Sequence, residues 1–259
     1  MRFDVITLFP ELFSTFLTSG VTRRAYEKGL VKVNLWNLRD FADGSYRRVD
    51  DRPFGGGPGM VMMAEPLAQC LEKVRVERAD SDAERAPAVL FSPVGIALNH
   101  TAVEHWSASQ GAILVCGRYE GLDQRFIDAH IDHQISLGDF VLSGGEIAAM
   151  ALLDAVARLQ PGVLNDQGSH QLDSFNPALD GLLDCPHYTR PENWRGLAAP
   201  QELLSGNHAH IERWRRDKRL ALTWKQRPEL LDNARLQGKL SAKDEAFLCS
   251  CRKPDSSAR

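Results

Sequence analysis

Three apolar runs, each followed by a loop that contains glycine, constrain the fold of this chain most. Residues 88–91 precede Ser-Pro-Val-Gly, residues 112–116 precede Gly-Arg-Tyr-Glu-Gly, and residues 135–146 read Ile-Ser-Leu-Gly-Asp-Phe-Val-Leu-Ser-Gly-Gly-Glu. Residues 99–109 and 147–159 have helical periodicity, so the apolar runs are predicted to be parallel strands joined by helices. Loops of this kind meet at the carboxyl edge of a parallel sheet, where ligands bind. The sequence therefore predicts an α/β fold with a ligand site at that edge.

The first half of the chain carries further elements of the same two kinds. Residues 3–9 and 31–36 are predicted strands, and Pro10 opens a short helix. Residues 65–77 form an amphipathic helix with apolar residues on one face. Residues 39–51 are polar and are expected at the surface.

Two glycine-rich segments require unusual backbone conformations. Residues 52–59 hold four glycines and two prolines, which excludes a helix or a central strand. The segment lacks the Lys and Ser/Thr of a P-loop, and no G-x-G-x-x-G occurs in the chain, so a common nucleotide site is disfavoured. The segment is either a structural crossover or a rigid loop that offers backbone groups to a base. In the second segment, residues 140–142 lie between two glycine turns and are expected to be buried.

Composition predicts a soluble protein with an uneven charge distribution. No apolar run reaches the ~20 residues of a membrane span, and the N-terminus lacks a cleavable-leader pattern, so a cytoplasmic protein without membrane contact is expected. Five cysteines without a C-x-x-C pair do not indicate a disulfide framework or a zinc site. Residues 205–239 contain nine Lys or Arg and four acids, although the net charge of the chain is −3. This basic helix, with Trp214 and Trp224, suits RNA, or it is a solvated helix whose tryptophans face a core.

Five motifs, in this order, resemble those of the bacterial tRNA (guanine-N1)-methyltransferase family, TrmD. The motifs are residues 51–60, 117–121, 137–146, 182–191 and 204–208. The resemblance extends from Met1 to about Leu231. It implies an α/β, parallel-sheet methyltransferase domain with a deep C-terminal trefoil knot, plus a small helical C-terminal domain. It also implies a homodimer with active sites at the subunit interface.

The resemblance also implies how the chain is divided. Residues 1–164 would form the knotted domain that binds S-adenosylmethionine, and residues 165–176 a flexible interdomain loop. Residues 177–248 would form the helical tRNA-binding domain. Residues 249–259, with their serines, charges and proline, are expected to be a disordered tail.

The activity implied by the resemblance is methyl transfer from S-adenosylmethionine to N1 of the guanosine just 3′ of the anticodon in tRNA, which maintains the reading frame. Guanine N1 carries a proton and is a poor nucleophile, so the reaction needs a base and a group that stabilises charge at O6. By resemblance, Asp173 is the general base and Arg158 stabilises the charge at O6. By position alone, Arg158 would compensate a helix dipole and Asp173 would cap a turn.

The remaining site residues also follow from the resemblance. S-adenosylmethionine is expected to lie bent in the knot, against Leu90, Phe91, Ser92, Pro93, Gly117, Tyr119, Gly121, Leu137, Gly138, Asp139, Phe140, Val141, Leu142, Gly144 and Gly145. The tRNA is expected to contact Gly59, Glu120, Ser169, Arg213, Arg215, Arg216 and Lys218. Magnesium is expected to be required, with Glu120 as a candidate ligand.

Three residues depart from the family pattern. Val94 stands where glutamine is common, Ala148 where a proline usually follows the double glycine, and Leu172 where a glutamate usually precedes the aspartate. None of these changes removes a proposed catalytic group. Two other functions stay open at this point. One is a knotted methyltransferase that acts on a ribose 2′-hydroxyl, and the other is a non-catalytic RNA-binding protein that uses only the basic helix.

Overall fold

The computed structural model describes residues 1–79, 85–165 and 169–251. It divides the chain into two compact units, Met1–Gln167 and Gly168–Arg259. Three parts of the chain lie outside the described residues: 80–84, where the sequence predicts a surface linker, 166–168 of the predicted interdomain loop, and 252–259 of the predicted tail.

The first unit alternates strands and helices, as the sequence predicts. In chain order its elements are β1 (Arg2–Thr7), α1 (Leu12–Thr18), α2 (Arg23–Glu27), β2 (Lys32–Asn37), a 3-10 helix (Leu38–Phe41), β3 (Asp50–Asp51), β4 (Val61–Met62), α3 (Ala64–Ala79), β5 (Ala88–Ala97), α4 (His100–Ala108), β6 (Ile113–Val115), α5 (Gln124–His130), β7 (His133–Ser136) and α6 (Glu146–Arg158). Five strands form one sheet in the order β2-β1-β6-β5-β7. Every neighbouring pair in this sheet runs parallel, which confirms the predicted sheet type.

The sheet has a hydrophobic core on each face. Successive side chains of a strand point to opposite faces, so Val89 and Leu114 belong to one cluster, whereas Leu90 and Val115 belong to the other. Helices α1, α2, α4 and α6 cover the first face. Helices α3 and α5 cover the second face. Coverage on both faces explains why the strands read as continuous apolar runs rather than alternating ones.

Strand β5 is longer than the sequence indicates. Phe91 and Ile96 both pair with Ile135 of β7, so the intervening residues form a bulge and pairing then resumes. The expectation that the strand ends at Phe91 is therefore wrong. Gly95 allows the bulge to lie against β7, because a Cβ there would come within 2.5 Å of backbone atoms of Gln134 and Ile135.

The second unit is mainly helical. It contains 3-10 helices at Ser169–Leu172 and Pro177–Leu179, the short strands β8 (Asn193–Trp194) and β9 (Leu197–Ala198), and helices α7 (Gln201–Leu204), α8 (His208–Gln226), α9 (Pro228–Leu236) and α10 (Ala242–Cys251). Its core packs Leu182 against Leu220 of α8, Leu231 of α9 and Leu248 of α10. Because α10 ends at Cys251, the first three residues of the predicted disordered tail are helical.

The helices show no candidate for a membrane span. Among residues 1–79, 85–165 and 169–251, no helix is both long enough and apolar enough to cross a bilayer. The longest helix, α8, spans 19 residues and is rich in charged side chains.

Candidate functional site

A cavity of about 490 Å³ lies where the bulge of β5 meets the loops after β6 and β7. Its lining includes thirteen of the fifteen residues that the resemblance assigns to S-adenosylmethionine. Gly138 and Asp139 are the two that do not line it. Three segments separate in sequence, the β5 bulge and two loops, therefore build one cavity at the carboxyl edge of the sheet, where the pattern of strands and glycine segments predicts a ligand site.

Close backbone contacts hold two of these loops together. The amide of Gly145 donates to the carbonyl of Gly117 at 2.9 Å, and Arg118 forms an antiparallel bridge with Gly144. A Cβ on Gly145 would lie 2.8 Å from the Cα of Cys116, closer than real Cβ atoms come to a backbone atom. Glycine is required at position 145 because only a residue without a Cβ fits against this backbone.

The apolar residues between the two glycine turns are not buried. Val141 is 84% exposed and Phe140 is 56% exposed, while Leu142 is partly buried. The expectation that residues 140–142 are buried is wrong for the first two, because they lie on the rim of the cavity rather than beneath it. Val94, from the bulge of β5, lies on the same rim and is also exposed.

Arg118 is a cavity residue for which the sequence analysis predicts no role. Its Nε atom lies 2.9 Å from Oε2 of Glu146, whose other carboxylate oxygen accepts a hydrogen bond from the hydroxyl of Thr7 at 2.8 Å. The Arg118 guanidinium also lies over the ring of Phe9, and its Nη1 donates to the carbonyl of Ser143. The sequence shows little sign of the ion pair between Arg118 and Glu146. Arg118 lies in a loop flanked by glycines, but its partner acid lies 28 positions further along the chain.

The buried acid affects a neighbouring cysteine. Burial raises the pKa of the Cys116 thiol well above its usual value, and the negative charge of Glu146 raises it further, against the opposing effect of Arg118. Since only the thiolate is a nucleophile, this shift disfavours covalent chemistry at Cys116.

The predicted RNA contacts Gly59 and Glu120 lie next to each other. A Cβ on Gly59 would collide with the side chain of Glu120, and the Glu120 amide donates to the carbonyl of Met60 at 2.9 Å. Glu120 also lines the cavity. The preceding residue, Tyr119, has a φ of 61°, a left-handed conformation that is uncommon outside glycine. The end of the glycine-rich segment 52–59 thus contacts the loop after β6, which lines the cavity.

The two proposed catalytic residues lie in different units. Arg158 is the last residue of α6 and is partly buried. Asp173 follows the 3-10 helix that Ser169 begins, and its amide and carbonyl bond to His170 and Asn176. The loop predicted over 165–176 is therefore regular at Ser169–Leu172. The side chain of Ser169 lies outside the described part of the chain.

The four predicted basic contacts of α8 differ in their surroundings. Arg213 and Arg216 are partly buried and both pair with Asp244, and Arg216 also pairs with Asp180. Arg215 and Lys218 are exposed. Arg215 pairs with the exposed Glu212 one turn away, and Lys218 lies over the ring of Trp214. The first two residues therefore pair with acids outside their own helix, whereas the second two contact residues of α8 itself and are open to solvent.

The two tryptophans of α8 differ in their exposure. Trp214 is buried and packs edge-on against Tyr188, with Lys218 over its ring. Trp224 is about one-third exposed. At Trp214 the helix uses its aromatic ring for the core rather than for stacking with RNA.

One group of potential metal ligands occurs among the described residues. Ligand atoms of Asp184, Cys185 and His187 lie within 4.8 Å of one another. Burial raises the pKa of the Cys185 thiol, and the guanidinium of Arg219 lies 3.3 Å from Asp184. A protonated thiol and a nearby cation both disfavour a metal ion. Glu120, the candidate magnesium ligand, is not part of this group.

The fold and the cavity define a class of protein, namely an α/β protein with a cavity at the carboxyl edge of a parallel sheet. The family model described as tRNA (guanine-1)-methyltransferase TrmD matches residues 1–233. The chain belongs to this family and is a methyltransferase, which confirms the resemblance.

Relatives from several bacteria share most of this sequence, and each is named tRNA (guanine-N(1)-)-methyltransferase. The chain is 79% identical over 248 residues to the protein of Polaromonas sp. strain JS666, with 96% of each chain covered. It is 73% identical to the protein of Albidiferax ferrireducens, covering 96% of this chain and 99% of the relative. It is 70% identical to the protein of Paracidovorax citrulli, covering 96% and 97%.

Proposed function

We propose that this enzyme transfers the methyl group of S-adenosylmethionine to N1 of the guanosine just 3′ of the anticodon in tRNA, which maintains the reading frame. The observation that carries the proposal is the cavity built from the β5 bulge and the loops after β6 and β7, in a chain that belongs to the tRNA (guanine-1)-methyltransferase family. The names of the relatives support the base and the atom that is methylated.

The cavity suits S-adenosylmethionine in size and chemistry. Its volume of about 490 Å³ lies within the roughly 300–1,000 Å³ of small-molecule sites. Leu90 and Leu142 provide apolar walls for a purine. Leu137 and residues 140–144 line the cavity, and backbone groups among them suit the polar parts of the ligand. When bound, S-adenosylmethionine supplies an electrophilic methyl group.

Asp173 and Arg158 have the chemical properties that the acceptor requires. The Asp173 carboxylate takes the proton from guanine N1, so that the nitrogen lone pair can form the new bond to the methyl carbon. As N1 loses its proton, negative charge develops at O6 of the base. The Arg158 guanidinium donates to O6 and stabilises this charge.

The predicted RNA contacts fall into two groups. Gly59 and Glu120 adjoin the cavity and suit the edge of a guanine that has left its stack. On α8, Arg215 and Lys218 are exposed and suit tRNA phosphates. Ser169 stays a proposed contact near the target base, and magnesium stays a proposed requirement with Glu120 as its candidate ligand.

The proposal extends to the trefoil knot and the homodimer. The contacts between the loops after β6 and β7 are those expected where a chain passes close to itself. The exposed apolar residues Val94, Phe140 and Val141 on the cavity rim support a subunit interface at the active site, because a second copy would cover them.

Nucleoside analysis tests the proposed function. The enzyme is incubated with labelled S-adenosylmethionine and a tRNA transcript that carries guanosine 3′ of the anticodon, and the RNA is digested to nucleosides. We expect label in 1-methylguanosine. Label in a 2′-O-methylated nucleoside would instead identify a ribose methyltransferase. Binding of tRNA without transfer of label, with magnesium present, would identify a binding protein.

A further inference from the structure

The glycine segment 52–60 is the tip of a β-hairpin. Strands β3 and β4 pair antiparallel, with Asp50 opposite Met62 and Asp51 opposite Val61. The amide of Met63 donates to the carbonyl of Val49 at 2.8 Å and closes the base of the hairpin. Neither strand was predicted, because each has only two residues.

The stem of the hairpin is fixed to the loop that lines the cavity. The Met62 amide donates to the carbonyl of Gly121 at 2.9 Å, and Met62 pairs with Leu122 in a parallel bridge. The amide of Asp123 in turn donates to the carbonyl of Met62 at 3.0 Å. These bonds hold the hairpin next to the candidate methyl-donor site.

The tip presents one aromatic ring to solvent. Phe54 is 99% exposed, the largest exposed fraction among the large apolar residues of the described chain. The next three residues are glycines with φ of 88°, 78° and 118°, conformations that residues with a Cβ rarely adopt. Five positions separate Phe54 from Gly59, which adjoins the cavity residue Glu120, so the Cα atoms of Phe54 and Gly59 lie within about 18 Å of each other by chain length.

We propose that Phe54 is a stacking contact for the tRNA, and that its ring stacks on a base of the anticodon loop beside the methylated guanosine. This inference rests on the proposed function. When a guanine leaves its stack to enter a pocket, the neighbouring base loses a stacking partner. An aromatic side chain can replace that partner, and it accepts any base because every base has a π-face. The exposed Arg52, two residues before Phe54, suits the adjacent phosphate.

A second copy of the chain is a less suitable partner for this ring. A stable interface buries about 800 Å² on each partner, whereas one Phe buries roughly 150–250 Å². The residues after Phe54 are glycines, which add little apolar area, and the stem carries the charged pair Arg48 and Asp51. A single projecting ring among glycines and charges fits the flat face of a base better than an apolar protein surface.

Substitutions at Phe54 test the proposal. Equilibrium binding of tRNA is measured for the wild type, Phe54→Ala, Phe54→Leu and Phe54→Trp, together with binding of S-adenosylmethionine and thermal unfolding. Loss of one stacked base is expected to weaken tRNA binding by about 5- to 150-fold in Phe54→Ala. Phe54→Leu, which keeps apolar volume without a π-face, should show a similar loss, and Phe54→Trp should bind like the wild type. Affinity for S-adenosylmethionine and the melting temperature should stay unchanged.

A fluorescent base provides a second readout. In tRNA with 2-aminopurine next to the target guanosine, stacking on Phe54 should quench the fluorescence with the wild type and with Phe54→Trp, but not with Phe54→Ala. Wild-type tRNA affinity in Phe54→Ala or Phe54→Leu would overturn the proposal. A change in the oligomeric state of Phe54→Ala, measured by sedimentation without tRNA, would also overturn it in favour of a second copy.

The binding readouts separate this inference from the proposed function. If the wild type forms no 1-methylguanosine but Phe54→Ala still weakens tRNA binding, the proposed function fails and the stacking contact stands. If 1-methylguanosine forms and all Phe54 variants bind tRNA equally, only the stacking contact fails.

Discussion

The guanidinium of Arg118 lies against the carboxylate of Glu146, with 2.9 Å between Nε and Oε2, and the Glu146 side chain is only 1% exposed. Arg118 belongs to the loop after β6, and Glu146 is the first residue of α6. The ion pair thus joins the loop after β6 to the start of α6, which directly follows the loop after β7. A buried carboxylate without a partner is costly, so the position of the loop after β6 depends on this acid.

A double-mutant cycle tests the energetic link between Arg118 and Glu146. Arg118→Ala should lower the free energy of unfolding by about 3 kcal/mol, because it leaves a buried charge without its partner. Glu146→Gln, which removes that charge, should cost less. The double variant should lose about 1–2 kcal/mol less than the sum of the single losses, measured by urea denaturation. Additive losses would show that the two side chains are not coupled.

A methyl group at position 145 should displace the cavity loops. In Gly145→Ala, the new Cβ would meet the backbone of Cys116, so the loop after β7 must move. Overpacking of this kind costs about 1–3 kcal/mol, and we expect affinity for S-adenosylmethionine to fall about tenfold, measured by calorimetry.

Gly44→Ala is the matched control for Gly145→Ala. Gly44 has a φ of 76° and nothing within 4 Å of its virtual Cβ, so alanine there adds backbone strain without a collision. Its stability should fall by about 1 kcal/mol while the affinity for S-adenosylmethionine stays unchanged. Equal loss of affinity in the two variants would contradict the role of Gly145.

The exposed cations of α8 should account for the salt dependence of tRNA binding. Arg215→Ala and Lys218→Ala should each reduce the slope of log K against log salt by about 1, because each removes one phosphate contact. Arg216→Ala should lower stability and leave the slope unchanged, since Arg216 is 19% exposed and pairs with Asp180 and Asp244. If the salt slope changed only in Arg216→Ala, then Arg216, and not Arg215 or Lys218, would contact the tRNA phosphates.

Asp244 should make the helical unit sensitive to acid. Burial alone would raise the pKa of Asp244, but hydrogen bonds from Arg216 and Ser241 outweigh burial and lower it from 3.8 to about 2. Because the folded pKa lies below the unfolded pKa, the stabilisation is complete above about pH 4 and is lost as the pH falls towards about 2.

The expected size of this acid effect is about 1 kcal/mol, after allowance for solvent screening. Urea denaturation followed by the fluorescence of the buried Trp214 measures it. Asp244→Asn should be less stable than the wild type at neutral pH and should lose less stability in acid. If Asp244→Asn lost as much stability in acid as the wild type, Asp244 would not be the source of the acid sensitivity.

Local patterns in the sequence predict much of the fold. Continuous apolar runs identify β5, β6 and β7 as buried parallel strands, and the segments that follow these runs meet at one cavity. The helical period places α3 and α6 to within about two residues. These features depend on neighbours along the chain, so the sequence reveals them directly.

Features that depend on distant contacts are not predictable in this way. The Arg118–Glu146 pair joins residues 28 positions apart, and no local period indicates it. Phe140 and Val141 read as buried residues because they are apolar, but the fold places them on the cavity rim. Arg213 and Arg216 have the composition of an RNA contact, yet both pair with Asp244 of α10.

The most direct test of the central claim is single-turnover methyl transfer by Asp173→Asn, with tRNA and S-adenosylmethionine both saturating. Asparagine keeps the shape of the side chain but cannot take the N1 proton. The rate of 1-methylguanosine formation should therefore fall by about 10²- to 10⁴-fold while the affinities for both substrates stay at wild-type values. A wild-type rate in Asp173→Asn would contradict the account, because another group would then remove the proton from N1.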